Sequence, residues 1–299
     1  MILKQLCCIC YNVVMKYNIS EDIRIVCKIL DISFSKLADE LNVARSTVMR
    51  IVKKEVYPTD HFLESFYSFA YKNNYHQIRL NDHKIQFAQE QNREILFHGA
   101  RMDIENDIDL RHSRKDIDIG DGFYMGESYM QSSSYIFMNR KSSIYIMTIT
   151  NKNKLKIKEF DVSLEWMLMV SYFRGQLNEY ADSEKIKNII RDIAKYDIIV
   201  APIADNNMYE IMNRFARGEI TDKQAINALS ASHLGRQIVL KTDKACKSVK
   251  LLNKLYLCKE EREDIEKERK EQSIMSLDGA KTSIEKYRRI GKYIEEILK

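Results

Sequence analysis

IGDGFYMGESYMQSSSYIF, residues 119–137, is the stretch on which the reading of this chain turns. Gly120 and Gly122 supply two small turn residues, an aromatic cluster follows, and then a run of small hydroxyls. Tyr124 and Tyr135 stand eleven positions apart, about three helical turns plus a strand end. No Walker loop, dinucleotide GxGxxG fingerprint or nucleophile elbow is present, because GDGFYMG lacks the strand–turn–helix setting those motifs need. Upstream, ILFHGAR ends an apolar strand on His98-Gly99; downstream, LGRQIVLKT opens one on the polar Gln237. Each of these residues has a plain structural reading beside a functional one: a satisfied strand-end histidine, an aromatic core, a strand opener.

Around these motifs, from 94 to 250, short β-rich runs (EILFH, SIYIMTIT, KLKIKEF, YDIIVAPIA, RQIVLKT) alternate with helical stretches. The mixture predicts an α+β domain, a sheet with packed helices. The chain has 299 residues, enough for about two domains. With 45% hydrophobic and 30% charged residues it can build packed cores and is not disordered throughout. Two prolines and nine glycines exclude collagen-like and proline-rich architectures. The net charge of +5 is too mild to name nucleic acid as a partner by itself. No apolar run is long enough to span a bilayer, so no membrane partner is expected. Six cysteines in a chain this long make no disulfide framework and no secretory signal is found, so a cytoplasmic setting is expected.

The N-terminal segment, 1–78, has a helical period. Ile23, Val26, Cys27 and Leu30 mark one stripe. In FSKLADELNVARSTVMRIVKK, Leu37, Ala38 and Leu41 share a face, Asn42 sits where a left-handed turn is needed, and Val48 and Ile51 form the inner face of a second helix. The pattern resembles the helix-turn-helix of phage-repressor-like DNA-binding domains, which usually carry Gly at the position of Asn42. That resemblance implies that Arg45, Ser46, Thr47, Arg50 and Lys53 face a DNA groove. Ser46 and Thr47 could equally cap the helix, and the whole motif could serve protein contact, since ten Lys/Arg stand against eight Asp/Glu in 1–78. Cys7, Cys8 and Cys10 lack a second ligand cluster, so no metal is expected; either they lie in an extra helix or strand covering this domain, or translation starts at Met15, where the recognisable pattern begins.

Residues 79–93 are polar and read as a linker. The tail, 251–299, holds KEEREDIEKERKE with twelve charged residues in thirteen, read as a solvated helix or linker. A stripe of Ile284, Tyr287, Ile290, Ile294 and Ile297 then predicts an amphipathic helix that docks on its own chain or on a partner. The remaining histidines, His61, His76, His83, His112 and His233, show no ligand spacing.

HG followed by GDGFYMGESYMQSSSY resembles the ADP-ribosyltransferase fold of the diphtheria-toxin and poly(ADP-ribose) polymerase branch. More closely, 95–250 is similar to a bacterial domain-of-unknown-function family with that fold. The shared pattern here is HG at 98–99, DIGDGFY at 118–124, Trp166, Arg174, YDIIVAPIADNNMY and Gln237. No single motif is specific; order and spacing carry the likeness, over about half the chain.

The resemblance implies NAD as substrate and no metal. His98 would bond the adenosine ribose, and the Gly99 backbone the nicotinamide carboxamide. Tyr124 and Tyr135 would sandwich the nicotinamide ring, and Ser132 would add a hydroxyl. Gln237 stands where the family has an acid, which favours transfer of one ADP-ribose over polymer synthesis and leaves an inactive enzyme open. Asp118 and Asp205 are the nearest carboxylates by motif position, as site residues or as loop-ordering caps.

The expected protein is therefore a mono-ADP-ribosyltransferase acting on a protein or nucleic-acid acceptor, joined to a DNA-binding module, as in a toxin–antitoxin, phage-defence or regulatory factor. Two rivals differ in class. One is a DNA-binding regulator that senses NAD without catalysis. The other is a structural interaction protein with the amphipathic C-terminal helix as its dimer contact; the partners expected besides NAD, acceptor and DNA are a second copy of the chain or an antitoxin-like protein.

Overall fold

The computed structural model describes residues 16–76, 93–104, 108–110, 117–139, 142–231 and 235–299. Cys7, Cys8, Cys10, the choice between Met1 and Met15, nearly all of the 79–93 linker, His83, His112 and His233 lie outside the described residues.

Among the described residues four helices come first: α1 (Ile19–Ile29), α2 (Phe34–Glu40), α3 (Arg45–Val52) and α4 (Asp60–Lys72). Ile23, Val26, Leu37, Ala38, Val48 and Ile51 share one buried cluster with Phe66 and Tyr67 of α4, as the stripes predict. Asn42 takes the left-handed conformation, φ 53°, between α2 and α3. Ala44 precedes the first turn of α3 without a side-chain cap, so Ser46 and Thr47 lie inside the helix and cap nothing.

A seven-stranded sheet follows, in the order β4-β5-β6-β2-β1-β3-β7. Its strands are β1 (Leu96–Ala100), β2 (Phe123–Gly126), β3 (Ser143–Ile149), β4 (Ile157–Glu159), β5 (Ile198–Pro202), β6 (Arg236–Leu240) and β7 (Val249–Tyr256). The five β-rich runs of the sequence all become strands. β4 and β5 are parallel and every other pair is antiparallel. β7 overrides the sequence boundary at 250: its residues pair with β3 from Ser143↔Tyr256 to Ile149↔Val249, so the sheet ends at Tyr256. The remaining helices are α5 (Tyr129–Ser133), α6 (Leu164–Phe173), α7 (Glu184–Ile193), α8 (Asn206–Ala216), α9 (Asp222–Ser230), α10 (Asp243–Cys246), α11 (Lys259–Lys286) and α12 (Ile294–Leu298). α6 is apolar all round and carries Trp166, Met167 and Met169, all fully buried in the largest core cluster.

The charged tail is a helix, one of its two expected forms, and its charged stretch is largely exposed, but it docks through a few buried residues. α11 has 28 residues, roughly 42 Å at 1.5 Å per residue. Its first turns bury Ile265 at 1% and Glu261 at 2% exposure. One apolar residue suffices there because Glu261 accepts a hydrogen bond from the Tyr129 hydroxyl. Farther along, Asn207 Nδ2 donates to the Ser273 carbonyl at 3.1 Å and Gln224 Nε2 to the Ile284 carbonyl at 2.8 Å. The stripe read as one final helix is broken: α11 stops at Lys286, and left-handed Arg289 (φ 62°) and Gly291 (φ 101°) reverse the chain before α12. Ile294 and Leu298 are then buried in the same core as Trp166, so the stripe docks on its own chain.

The helical domain packs on the edge of the sheet. The Tyr67 and Tyr256 rings stack at 5.1 Å, and the Tyr256 hydroxyl donates to Glu64 at 2.8 Å. Among the described residues no helix is long and apolar enough to cross a membrane.

Candidate active site

A carboxylate taken out of water needs several donors to replace hydration. Asp118, 4% exposed, has them. Arg174, the residue that closes α6, donates to Oδ1 from Nη2 at 2.7 Å and from Nε at 3.1 Å. The Tyr209 hydroxyl of α8 donates to the same oxygen. Gln237 Nε2 reaches Oδ2 at 2.8 Å, and the Ala204 amide lies 3.4 Å from it. The segments DIGDGFY, the Arg-ended helix, YDIIVAPIADNNMY and the Gln strand thus converge on one buried carboxylate. Burial first, then the Asp118 charge, holds the Tyr209 phenol far above its ordinary range, so it stays a donor.

This network fixes the amide of Gln237. Nε2 donates both to Asp118 and to the Pro202 carbonyl, 3.1 Å away. Both partners are pure acceptors, so the NH₂ must face them and Oε1 must face away. The side chain therefore presents a preoriented acceptor.

The register decides which residues share a face with it. Gly126 pairs with both Gln237 of β6 and Phe97 of β1, and cross-strand partners project to the same side. Tyr124, Gln237 and Gly99 accordingly lie on one face, and α5 crosses it. A Cβ on Gly99 would collide with the Ser132 carbonyl oxygen, and one on Gly126 would lie 2.8 Å from Gln131 Oε1. Gly99 is thus explained by the close approach of α5. Ser132, on the buried side of that helix, donates to the Phe97 carbonyl at 3.0 Å. Tyr124 is tied into the preceding loop, accepting from the Ile119 amide at 3.1 Å and donating to the Gly120 carbonyl at 2.6 Å. Burial raises its phenol above the ordinary tyrosine range. Lys241 braces the same loop by donating to the Ile119 carbonyl at 2.7 Å; burial, opposed by Asp121, brings its ammonium down to about 8.

β1 and β2 share a single pair, Phe97↔Gly126, whereas β1 and β3 share five and β2 and β6 four. Beyond that pair the two strands part, with Gly99 on one lip and Tyr124 on the other. His98 lies on the opposite face from Gly99, stacked on Phe123 at 4.3 Å, and its Nδ1 spans the gap to the Tyr124 carbonyl at 2.7 Å. A carbonyl only accepts, so Nδ1 carries the proton and Nε2 is the acceptor. Burial, opposed by that hydrogen bond, lowers the imidazole pKa and favours the neutral ring.

Tyr135 is 54% exposed beyond the end of α5, and its hydroxyl feels the charges of Asp118, Arg269, Asp205 and Arg174. Asp205 is the N-cap of α8, accepting from the Met208 amide at 2.8 Å. Asp118, Gln237, Tyr124, Ser132 and Tyr135 are therefore gathered on one side of the parting; His98 enters from the other, and Asp205 caps a helix beside them. Arg174, Tyr209 and Lys241 were missed as site residues. A buried Asp in a turn implies a cation elsewhere, and the Arg ending an otherwise apolar helix is the signal that supplies it.

In the helical domain, Arg45, Ser46, Thr47, Arg50 and Lys53 are all exposed along α3. Glu55 stands 3.8 Å from Arg50 and 4.0 Å from Lys53, a weak offset to their charge. Among the described residues no group of three or more His, Cys, Asp or Glu side chains could hold a metal ion.

A mixed α+β domain with a parted sheet and a buried carboxylate hub is thus the class that fold and site define. The family described as "Protein of unknown function (DUF3990)" matches residues 94–251, and the chain belongs to that family. Neither the curated proteins nor the solved structures compared with the chain gave a match.

Proposed function

We propose that the central domain is an NAD-dependent mono-ADP-ribosyltransferase and that the helical domain is a DNA-binding helix-turn-helix joined to it. The observation that carries the reading is the parted sheet, with His98 and Gly99 on one strand, Tyr124 on the other, and Gln237 fixed beside them. A parting between β1 and β2 suits a flat nicotinamide lying against Tyr124, with Tyr135 free to close over it. Breaking the glycosidic bond develops positive charge on the ribose, so the site must hold the sugar and stabilise that charge. Gln237 Oε1 would accept a hydroxyl proton from the nicotinamide ribose, and His98 Nε2, on the other side of the parting, one from the adenosine ribose. The charge missing from Gln237 is supplied one bond farther back by Asp118, largely offset by Arg174. That balance supports slow single transfer, with a protein side chain or a nucleic-acid base as acceptor.

The test is nicotinamide release from NAD by the purified chain, with cell lysate as acceptor source, beside Tyr124→Ala and Gln237→Ala. Release that falls about a hundredfold or more in both variants is expected if each acts on the transition state. Absence of release with NAD still bound favours the sensing regulator, which the uncharged Gln237 also suits.

For the helical domain, duplex DNA binding that weakens steeply with salt is expected. Arg50→Ala should lower the salt slope by about one. Titration in a salt series decides this; an unchanged slope would leave α3 as a protein-contact helix.

A further inference from the structure

We propose that Arg269 of α11, together with Arg101 at the end of β1, forms a subsite for the diphosphate of a dinucleotide at the mouth of the parting. This rests on the NAD reading and extends it to a helix outside the family-matched span. Arg269 Nη1 lies 3.3 Å from the Ser134 carbonyl and Arg101 Nη2 3.5 Å from the Tyr135 carbonyl. Two guanidinium groups are thus held by consecutive carbonyls, flanking the exposed Tyr135. Each carbonyl engages one N–H and leaves the rest of the planar fork for an oxyanion.

The pairing of neighbouring charges separates Arg269 from the other cations beside it. A cavity of about 840 Å³ opens between α11 and Phe137–Met138, and its lining mixes Lys259, Arg262, Arg269 and Lys270 with Glu64, Glu263 and Glu266. Lys259 faces Glu263 at 3.7 Å, Arg262 faces Glu64 at 3.6 Å, and Lys270 faces Glu266 at 2.6 Å. Arg269 has no carboxylate partner among the described residues, and neither does Arg101. An anion placed between two cations that flank one tyrosine is attracted by both. Met102, Tyr135 and Met138, at 80%, 54% and 84% exposure, add apolar surface next to the same two arginines, suited to the flat base of a nucleoside diphosphate.

The experiment titrates ADP-ribose, nicotinamide and inorganic pyrophosphate into the full chain and into Arg269→Gln, Arg101→Gln and Arg269→Lys. Both arginines are exposed, so the substitutions leave the core untouched. Loss of one charge-assisted contact should weaken ADP-ribose about tenfold in each Gln variant, with partial recovery in Arg269→Lys. Nicotinamide binding should not change, and higher salt should erase the difference. ADP-ribose affinity equal in wild type and both Gln variants would overturn the subsite while leaving the NAD reading intact. Pyrophosphate binding that the variants lose, without any ADP-ribose binding, would support the diphosphate subsite and overturn the NAD reading. Binding of neither ligand would overturn both.

Discussion

Asp118→Ala is expected to lower the unfolding free energy by about 3–5 kcal/mol, the cost of breaking a buried, hydrogen-bonded ion pair from one side. The substitution strands a guanidinium whose side chain is only 28% exposed, and it removes the acceptor for Tyr209, Gln237 and the Ala204 amide as well. Asp118→Asn keeps the shape but turns an NH₂ toward donors, so its loss should be about half as large. Pairing Asp118→Ala with Arg174→Met should return part of the loss, because the stranded charge is then gone. Equilibrium unfolding in denaturant reads all three. A loss under about 1 kcal/mol for Asp118→Ala would mean that the hub contributes little and that Gln237 is positioned by Pro202 alone.

Gln237→Glu carries the second large effect, and its sign depends on pH. The wild-type amide gives two hydrogen bonds, to Asp118 at 2.8 Å and to the Pro202 carbonyl at 3.1 Å. An ionised carboxylate would set oxygen against oxygen at both and share a buried site with Asp118. Its folded-state pKa must therefore rise well above the unfolded value of about 4.3. A group with a raised folded pKa binds more protons folded than unfolded, so stability falls as pH rises through that interval. Near pH 4 the variant should match wild type to within about 1 kcal/mol, whereas at pH 7 it should be destabilised on the order of 3 kcal/mol. Unfolding midpoints across pH 4–8 measure the difference. A gap that does not change with pH would show that the new side chain turns away from Asp118. Placing an acid at position 237 in this setting is thus expected to damage the fold.

The helical stripes and the β-rich runs were legible because each encodes its own burial: Leu37, Val48 and Ile51 repeat at helical spacing, and Ile144, Ile146 and Met147 form a continuous apolar strand. Asn42 was legible because few residue types tolerate its backbone conformation. β2 hid inside a glycine-rich loop only four residues long, and β7 inside a stretch whose lysines sit on an edge strand. The docking of α11 was illegible for a different reason. Glu261 is buried against Tyr129, a partner 132 residues away, and no local period announces a long-range hydrogen bond. The same holds for the site. Gln237 and Asp118 could be picked out by motif, but their contact spans 119 residues and is created by the sheet.

One pair joining β1 to β2 divides the sheet into two plates, β4-β5-β6-β2 and β1-β3-β7. Within each plate the backbone ladder sets stiffness. Across the joint, stiffness falls to a few side chains: His98 on the Tyr124 carbonyl, Ser132 on the Phe97 carbonyl, and Gln131 on the Arg236 carbonyl at 3.4 Å. The angle between the plates is therefore under side-chain control, and a molecule seated in the seam works as a splint.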